Sequence, residues 1–277
     1  MSIENPVLSD LLNPVVDICV GAGEAILEIY NSDDFVNATD VQTKGDDSPL
    51  TKADLAAHKH IVAALEKLTP EIPILSEESG GIDWETRKSW DRYWLVDPLD
   101  GTKEFIKRNG EFTVNIALIE THEAVLGVVH VPAQNETYYA ARDVGAYKRD
   151  AEGTNHFIQV RKPANKKPVV VGSRSHQSDE LKAYLAQLGD HEMTPMGSSL
   201  KLCLVAEGKA DLYPRLGLTS EWDTAAAQAV VEVAGGEVVT PDRNPLLYNA
   251  KENILNPWFM VFGDATHDWC KGIPEQA

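Results

Sequence analysis

Two aspartates that could act as metal ligands, Asp97 and Asp100, follow a short apolar run and stand three positions apart. Pro98 stiffens the turn between them, and Gly101 allows the backbone to approach a ligand closely. A bend here would aim both carboxylates and the carbonyl of Leu99 at one point. All three are hard oxygen ligands, which suit Mg²⁺. The alternative is that the aspartates cap a turn and a helix, and the spacing alone favours this alternative.

Three further acidic positions recur near the ends of predicted elements. Glu77 follows a short apolar strand, although paired glutamates commonly form a solvated loop. Asp223 begins an alanine-rich helical segment, where it would serve equally well as an N-cap. Asp54 lies near the start of another helix, which it or Thr51 could cap. Each segment alone therefore leaves metal binding and capping open.

The composition is strongly acidic, with 43 acidic and 25 basic residues and a net charge of -18. Binding of nucleic acid or of an anionic membrane through a basic face is therefore not expected. An anionic substrate still fits if metal ions lie between the charges. Three scattered cysteines indicate neither a disulfide framework nor a zinc site. We expect no signal peptide, no integral membrane segment and a cytoplasmic location, with peripheral association with the inner membrane left open.

The elements that must position these residues change character along the chain. Asn13 and Pro14 read as the N-cap and first position of a helix, and a second amphipathic helix is predicted over 52–68, with Leu55 on its apolar face. Strands follow at 72–75, 93–96, 113–119, 125–131 and 137–141, which favours an antiparallel sheet. After a linker at 161–168, strands and helices alternate. The sequence predicts an α/β (α+β) fold with an N-terminal half, 1–160, and a C-terminal half, 169–277.

Taken in order, the four acidic segments resemble the signature of the inositol-monophosphatase superfamily. Its pattern D-x-S-P-[VL]-T-x-A-D is matched at 46–54, its G/S-E-E glutamate at Glu77, D-P-[IL]-D-G-T at 97–102 and W-D-x-A-A at 222–226. The resemblance covers essentially the whole chain. It implies a layered αβαβα sandwich of the inositol-monophosphatase/fructose-1,6-bisphosphatase type, with the active site between the two halves. One departure is Ala227, where the family has glycine.

Other segments resemble one subgroup, the bisphosphate nucleotidases tied to bacterial sulfur assimilation. They are Lys103-Glu104 and the stretches 173–176, 197–201 and 213–215. The resemblance implies hydrolysis of the 3′-phosphate of adenosine 3′,5′-bisphosphate to AMP and phosphate, with 3′-phosphoadenylyl sulfate as a second substrate. It also implies inhibition by lithium.

The resemblance assigns roles residue by residue. Two or three Mg²⁺ ions would be bound by Glu77, Asp97, the Leu99 carbonyl, Asp100 and Asp223. Thr102 would orient the attacking water, with Asp54 accepting the Thr102 proton and Glu77 assisting. Phosphate and nucleotide contacts would come from Gly101, Thr102, Lys103, His176, Ser198, Lys201 and Arg215.

Two other functions stay open at this point. One is an inositol- or sugar-phosphate monophosphatase with the same metal site, which would be favoured if Lys201 and Arg215 pointed away from the carboxylates. The other is a non-catalytic, metal-stabilised interaction protein. A small-molecule nucleotide is the expected partner, and the oligomeric state is left open, with a monomer favoured.

Overall fold

The computed structural model describes residues 6–32, 42–43, 49–173 and 178–274. His176 and positions 46–48 of the first motif lie outside these ranges. Helices are α1 (Leu8–Tyr30), α2 (Lys52–Leu68), α3 (Trp84–Arg87), α4 (Thr102–Ile106), α5 (Asp179–Leu188), α6 (Leu200–Ala206) and α7 (Ala225–Val233). Strands are β1 (Gln42–Thr43), β2 (Pro49–Leu50), β3 (Ile74–Ser76), β4 (Arg92–Asp100), β5 (Thr113–Glu120), β6 (Glu123–Val131), β7 (Glu136–Ala141), β8 (Gly145–Arg149), β9 (Asn155–Phe157), β10 (Val169–Gly172), β11 (Glu192–Pro195), β12 (Leu212–Arg215), β13 (Glu237–Val239) and β14 (Phe259–Phe262).

Seven of the described strands form the larger sheet, in the spatial order β3-β4-β5-β6-β7-β8-β9. All neighbours are antiparallel except β3 and β4, which run parallel. The predicted antiparallel sheet is therefore confirmed, but β8 and β9 were not predicted. All three residues of β9 are exposed, so this edge strand lacks the apolar alternation on which a sequence prediction depends.

A smaller sheet follows in the chain, with the described strands in the order β11-β10-β12-β14-β13. The strands β10, β11 and β12 are parallel, whereas β14 runs antiparallel to both β12 and β13. Strand β11 was not predicted, because it is a short edge strand whose residues are partly or fully exposed and mix polar with apolar side chains.

The two sheets and their helices stack in five layers. The helices α1 and α2 cover one face of the larger sheet, and α6 and α7 lie between the two sheets in a shared apolar core. The helix α5 packs on the outer face of the smaller sheet. This arrangement confirms the predicted αβαβα sandwich. The division into 1–160 and 169–277 stays a prediction, because the central core draws residues from both segments.

Two details of the predicted helices are wrong. The helix α1 begins at Leu8, so Pro14 lies inside it and Asn13 is not its N-cap. Burial of Leu11 and Leu12 offsets the hydrogen bond that the proline removes. The bounds of α2 are as predicted, but Leu55 is 37% exposed. The buried stripe of α2 instead follows its small residues and continues to Ile61 and Leu65.

None of the helices in the described ranges is both long and apolar enough to cross a membrane.

Candidate active site

A bulge at the end of β4 sets the direction of the two central aspartates. Asp97 lies opposite Asn115 and Asp100 lies opposite Thr113, so three steps along β4 match two steps along β5. The extra residue bends the strand, as bulges do. The Asp97 carboxylate accepts a hydrogen bond from the Leu99 amide at 3.0 Å. Gly101 follows with φ of 92°, a left-handed conformation that favours glycine, and α4 begins directly after it.

Asp223 joins this pair from the 3₁₀ turn that precedes α7, and this turn packs against β4 and β5. Ligand atoms of Asp97, Asp100 and Asp223 all lie within 4.8 Å of one another. The side chain of Asp223 is oriented by the backbone of Ser220, because its Oδ2 accepts the Ser220 amide proton at 2.9 Å in a capping box. The expectation that Asp223 caps the alanine-rich helix is wrong, because the N-cap of α7 is Thr224. The capping bond of Asp223 belongs to the preceding 3₁₀ turn, Glu221–Asp223, and it holds the carboxylate at the cluster.

The electrostatics of the cluster fit a divalent cation. Burial, followed by repulsion from Asp100, raises the pKa of Asp223 to about 8. Burial, followed by the charges of Glu77, Asp100 and Asp223, raises the pKa of Asp97 well above its ordinary value. Ionised carboxylates at this spacing repel one another strongly unless a cation lies between them. The donors are all hard oxygens, which match the preference of Mg²⁺ and not that of soft metals.

Glu77 reaches the cluster from the larger sheet's parallel edge. It begins a 3₁₀ turn directly after β3, and its carboxyl group is hydrogen-bonded to that of Asp97. The preceding residue, Ser76, pairs with Nδ1 of His58 on α2 at 2.9 Å. The turn that carries Glu77 is thereby tied to the helix that carries Asp54. Glu77 also borders a separate cavity of about 350 Å³.

Asp54 and Thr102 form a hydrogen-bonded pair beside the cluster. The Thr102 hydroxyl donates to Asp54 Oδ1 at 3.4 Å. The other carboxylate oxygen of Asp54 accepts from the Thr51 amide at 2.9 Å and from the Thr51 hydroxyl at 2.6 Å. Asp54 is only 1% exposed. The capping box of α2, one of the alternatives left open by the sequence, thus fixes the orientation of Asp54.

A cavity of about 510 Å³ opens beside Asp100 and Asp223. Gly101, Thr102, Lys103, Ser198, Lys201 and Arg215, all predicted as substrate contacts, line it. Lys201 and Arg215 therefore face the same cavity as the carboxylates. The Lys201 ammonium donates to the Ser198 carbonyl at 2.7 Å and lies 5.6 Å from the centre of the Tyr213 ring. Arg215 donates to the Leu218 carbonyl, and among the described residues its buried Nε has no hydrogen-bond partner.

Several residues at this site were missed by the sequence analysis. Lys107 lines the cavity one helical turn after Lys103, a spacing that could have indicated it. Glu111 accepts the Gly197 amide proton at 2.8 Å, and Ser199 bonds to Asp100 at 2.8 Å. Asn115 was detectable as a lone polar residue in an apolar strand. Nothing in the sequence pattern indicated the contact between Glu111 and Gly197, which lie 86 residues apart.

The fold and this site define an α/β sandwich with a partly buried oxygen-ligand centre beside a cavity lined by both acidic and basic side chains. The model of the inositol monophosphatase family matches residues 7–268, and the chain belongs to that family. The predicted superfamily is therefore confirmed.

Relatives within the family carry more specific names. The 3′(2′),5′-bisphosphate nucleotidase CysQ of Escherichia coli is 53% identical over 251 residues, which cover 91% of this chain and 99% of the relative. The crystal structure of CysQ from Bacteroides thetaiotaomicron has a TM-score of 0.80 at 44% identity and covers 92% of this chain and 97% of that one. The IMPase of Thermotoga maritima has a TM-score of 0.78 at 25% identity, with coverage of 95% and 96%.

Proposed function

We propose that this chain is a Mg²⁺-dependent 3′(2′),5′-bisphosphate nucleotidase. It hydrolyses the 3′-phosphate of adenosine 3′,5′-bisphosphate to AMP and phosphate, and it accepts 3′-phosphoadenylyl sulfate as a second substrate. The observation that carries the proposal is the single cavity that Asp100 and Asp223 share with Lys201 and Arg215. A monophosphate needs only the carboxylate side, whereas a bisphosphate also occupies the cationic side. The names of the similar CysQ proteins support the same substrate class.

The metal ligands that we propose are Glu77, Asp97, the Leu99 carbonyl, Asp100 and Asp223, holding two or three Mg²⁺. When bound, Mg²⁺ neutralises phosphate charge and lowers the pKa of a coordinated water. The clustered carboxylates support this assignment, because their mutual repulsion in a buried site needs a compensating positive charge.

Thr102 and Asp54 are proposed to position the attacking water. Because the Thr102 hydroxyl gives its proton to Asp54 Oδ1, its oxygen is left to accept a hydrogen bond from water. Thr51 holds Oδ2 of Asp54, so the acceptor Oδ1 stays directed at Thr102. A proton leaving the water can pass through Thr102 to Asp54, with Glu77 assisting, in a short general-base relay.

The cavity residues are proposed to bind the two phosphates. The amides of Gly101 and Thr102 and the ammonium of Lys103 face the scissile phosphate, since these residues lie beside Asp100 in the cavity wall. Lys201, Arg215 and Ser198 bind the second phosphate. Charged hydrogen bonds from Arg215 and Lys201 suit a phosphate. The proposed role of His176 concerns a residue outside the described ranges.

Phosphate release from three substrates tests this function. Adenosine 3′,5′-bisphosphate, AMP and inositol 1-phosphate are compared side by side, each with Mg²⁺ and with EDTA. We expect Mg²⁺-dependent release from the bisphosphate alone. A preference for inositol 1-phosphate would overturn the nucleotidase assignment while keeping the metal site, and absence of release from all three would overturn the enzyme itself.

A further inference from the structure

The hydroxyl of Ser199 lies at the junction of the two segments that carry Asp100 and Asp223. Its Oγ is 2.8 Å from Asp100 Oδ2 and 2.6 Å from the backbone carbonyl of Asp223. The side-chain amide of Asn115 donates to the same oxygen at 2.9 Å. Ser199 and Asn115 are 2% and 1% exposed, so water does not compete for these bonds.

Ser199 occupies a position where a serine usually has another task. It is the N-cap residue of α6, and N-cap hydroxyls typically accept a backbone amide of the first turn. In the part of the chain that the structure describes, the Ser199 side chain makes no such capping bond. It points instead towards the carboxylate cluster. The preceding residue, Ser198, has φ of 44°, a left-handed conformation that serine adopts only at a cost.

The hydrogen-bond chemistry defines what this hydroxyl does. A serine hydroxyl donates one proton and accepts through its lone pairs. Because the amide nitrogen of Asn115 donates to the Ser199 oxygen, the Ser199 proton is directed to the Asp100 carboxylate or to the Asp223 carbonyl. A bond to an ionised carboxylate is the stronger of the two. Ser199 thus engages one oxygen of Asp100 and, through the same atom, abuts the backbone of Asp223.

We infer that Ser199, oriented by Asn115, is a positioning residue that sets the separation of Asp100 and Asp223 for divalent-cation binding. The inference rests on the proposed metal site. Ser199 lies in the same segment as the proposed phosphate contacts Ser198 and Lys201. Partners that orient metal ligands typically contribute about 10–100-fold in metal affinity.

The test is direct Mg²⁺ binding by calorimetry, without substrate, to wild type, Ser199→Ala, Asn115→Ala and the double variant. We expect Ser199→Ala to raise the dissociation constant about tenfold. Ser199→Thr, which keeps the hydroxyl, should restore much of the affinity. Because Asn115 acts through Ser199, the double variant should bind about as weakly as Ser199→Ala alone.

The matched control is Thr113→Val, on the same strand as Asn115. The Thr113 hydroxyl is fully buried, and among the described residues it has no hydrogen-bond partner. Its removal should therefore leave Mg²⁺ affinity unchanged. A kinetic reading completes the test: Ser199→Ala should raise the half-saturating Mg²⁺ concentration about tenfold, with an unchanged KM for the bisphosphate at saturating Mg²⁺.

The outcomes separate the inference from the function on which it rests. If wild type binds Mg²⁺ and Ser199→Ala binds it equally well, Ser199 has no positioning role. Additive losses in the double variant would remove the link through Asn115. If wild type itself binds no Mg²⁺, the proposed function fails, whatever the variants do.

Discussion

Two sets of charged side chains share the cavity. Its acidic end consists of Asp100 and Asp223, which lie beside the buried Asp97 on short side chains held by backbone turns. Its cationic end consists of Lys201 and Arg215, whose side chains are long and flexible. The carboxylates are fixed by a strand bulge and a capping box before any ligand arrives. Each cation donates to a nearby backbone carbonyl, which a phosphate must replace.

The two sets of side chains are therefore suited to different tasks. Short side chains lose little rotamer entropy, so they can hold a strained arrangement of like charges. Long side chains can release a weak local partner and close on an anion. We therefore expect the acidic end to determine whether the reaction occurs and the cationic end to determine which substrate is used.

The strongest way to break this comparison is to remove a charge at the acidic end. Asp100→Asn should lower kcat by at least the roughly 10²–10³-fold typical of losing one preorganised electrostatic group. The fold should survive, because the change relieves repulsion in the cluster. Phosphate release and circular dichroism measure the two effects. Asp242→Asn, an exposed acid outside the cavity, serves as the control. Near-normal turnover in Asp100→Asn would remove the proposed mechanism.

A second change separates substrate choice from chemistry. Lys201→Ala should lower kcat/KM for adenosine 3′,5′-bisphosphate about 10–100-fold, which corresponds to about 1.5–3 kcal/mol for a hydrogen bond to a charged group. The loss on 3′-AMP, which lacks the second phosphate, should be far smaller. Lys209→Ala removes an exposed lysine that pairs with Glu207 and should leave both substrates unaffected. Equal losses on the two substrates would reassign Lys201 to the reaction itself.

The acidic end should also be the part that is stabilised by metal. At a Mg²⁺ concentration a hundredfold above the dissociation constant, the folded state gains about 2.7 kcal/mol. For a chain of this length we expect a rise in Tm of about 5 °C, reversed by EDTA. Differential scanning calorimetry measures the rise, and Asp100→Asn should lose most of it. A Tm that changes with neither Mg²⁺ nor EDTA would contradict the proposed metal site.

The smallest expected effect concerns His130, a buried titratable group away from the site. His130, 3% exposed, bonds to the Thr137 hydroxyl, and burial lowers its pKa to about 4 from 6.5. The unfolded chain therefore binds more protons between these values, so stability falls as pH falls through this window. Between pH 7 and 5.5 the loss should be about 1 kcal/mol.

Urea unfolding at several pH values measures this loss. His130→Gln should flatten the decline relative to wild type, without changing the Mg²⁺-dependent rise in Tm. If both proteins lose stability equally over this range, the burial of a neutral His130 is not the cause. Such a result would leave the carboxylates as the source of acid sensitivity.

Features that depend on near neighbours in the chain could be predicted from the sequence. The turn at Asp97, Asp100 and Gly101 was recognised as a possible oxygen-ligand site, and α2 was predicted with its bounds because capping and periodicity are local properties. The alternation after residue 168 led to the layered fold. The recurrence of family motifs added the proposed roles of Asp54, Glu77 and Asp223, which no single segment indicated.

Which residues lie close together despite a long separation in the sequence depends on the tertiary structure. Asp223 and Asp100 lie 123 positions apart in the sequence yet share one cluster, and Ser199 bonds to Asp100 across 99 positions. Burial was decided in the same way: Leu55 is exposed and Pro14 lies within a helix, because packing against the sheet outweighs local preference. Contacts between distant segments depend on how the layers stack, and the sequence pattern alone does not give the distances between layers.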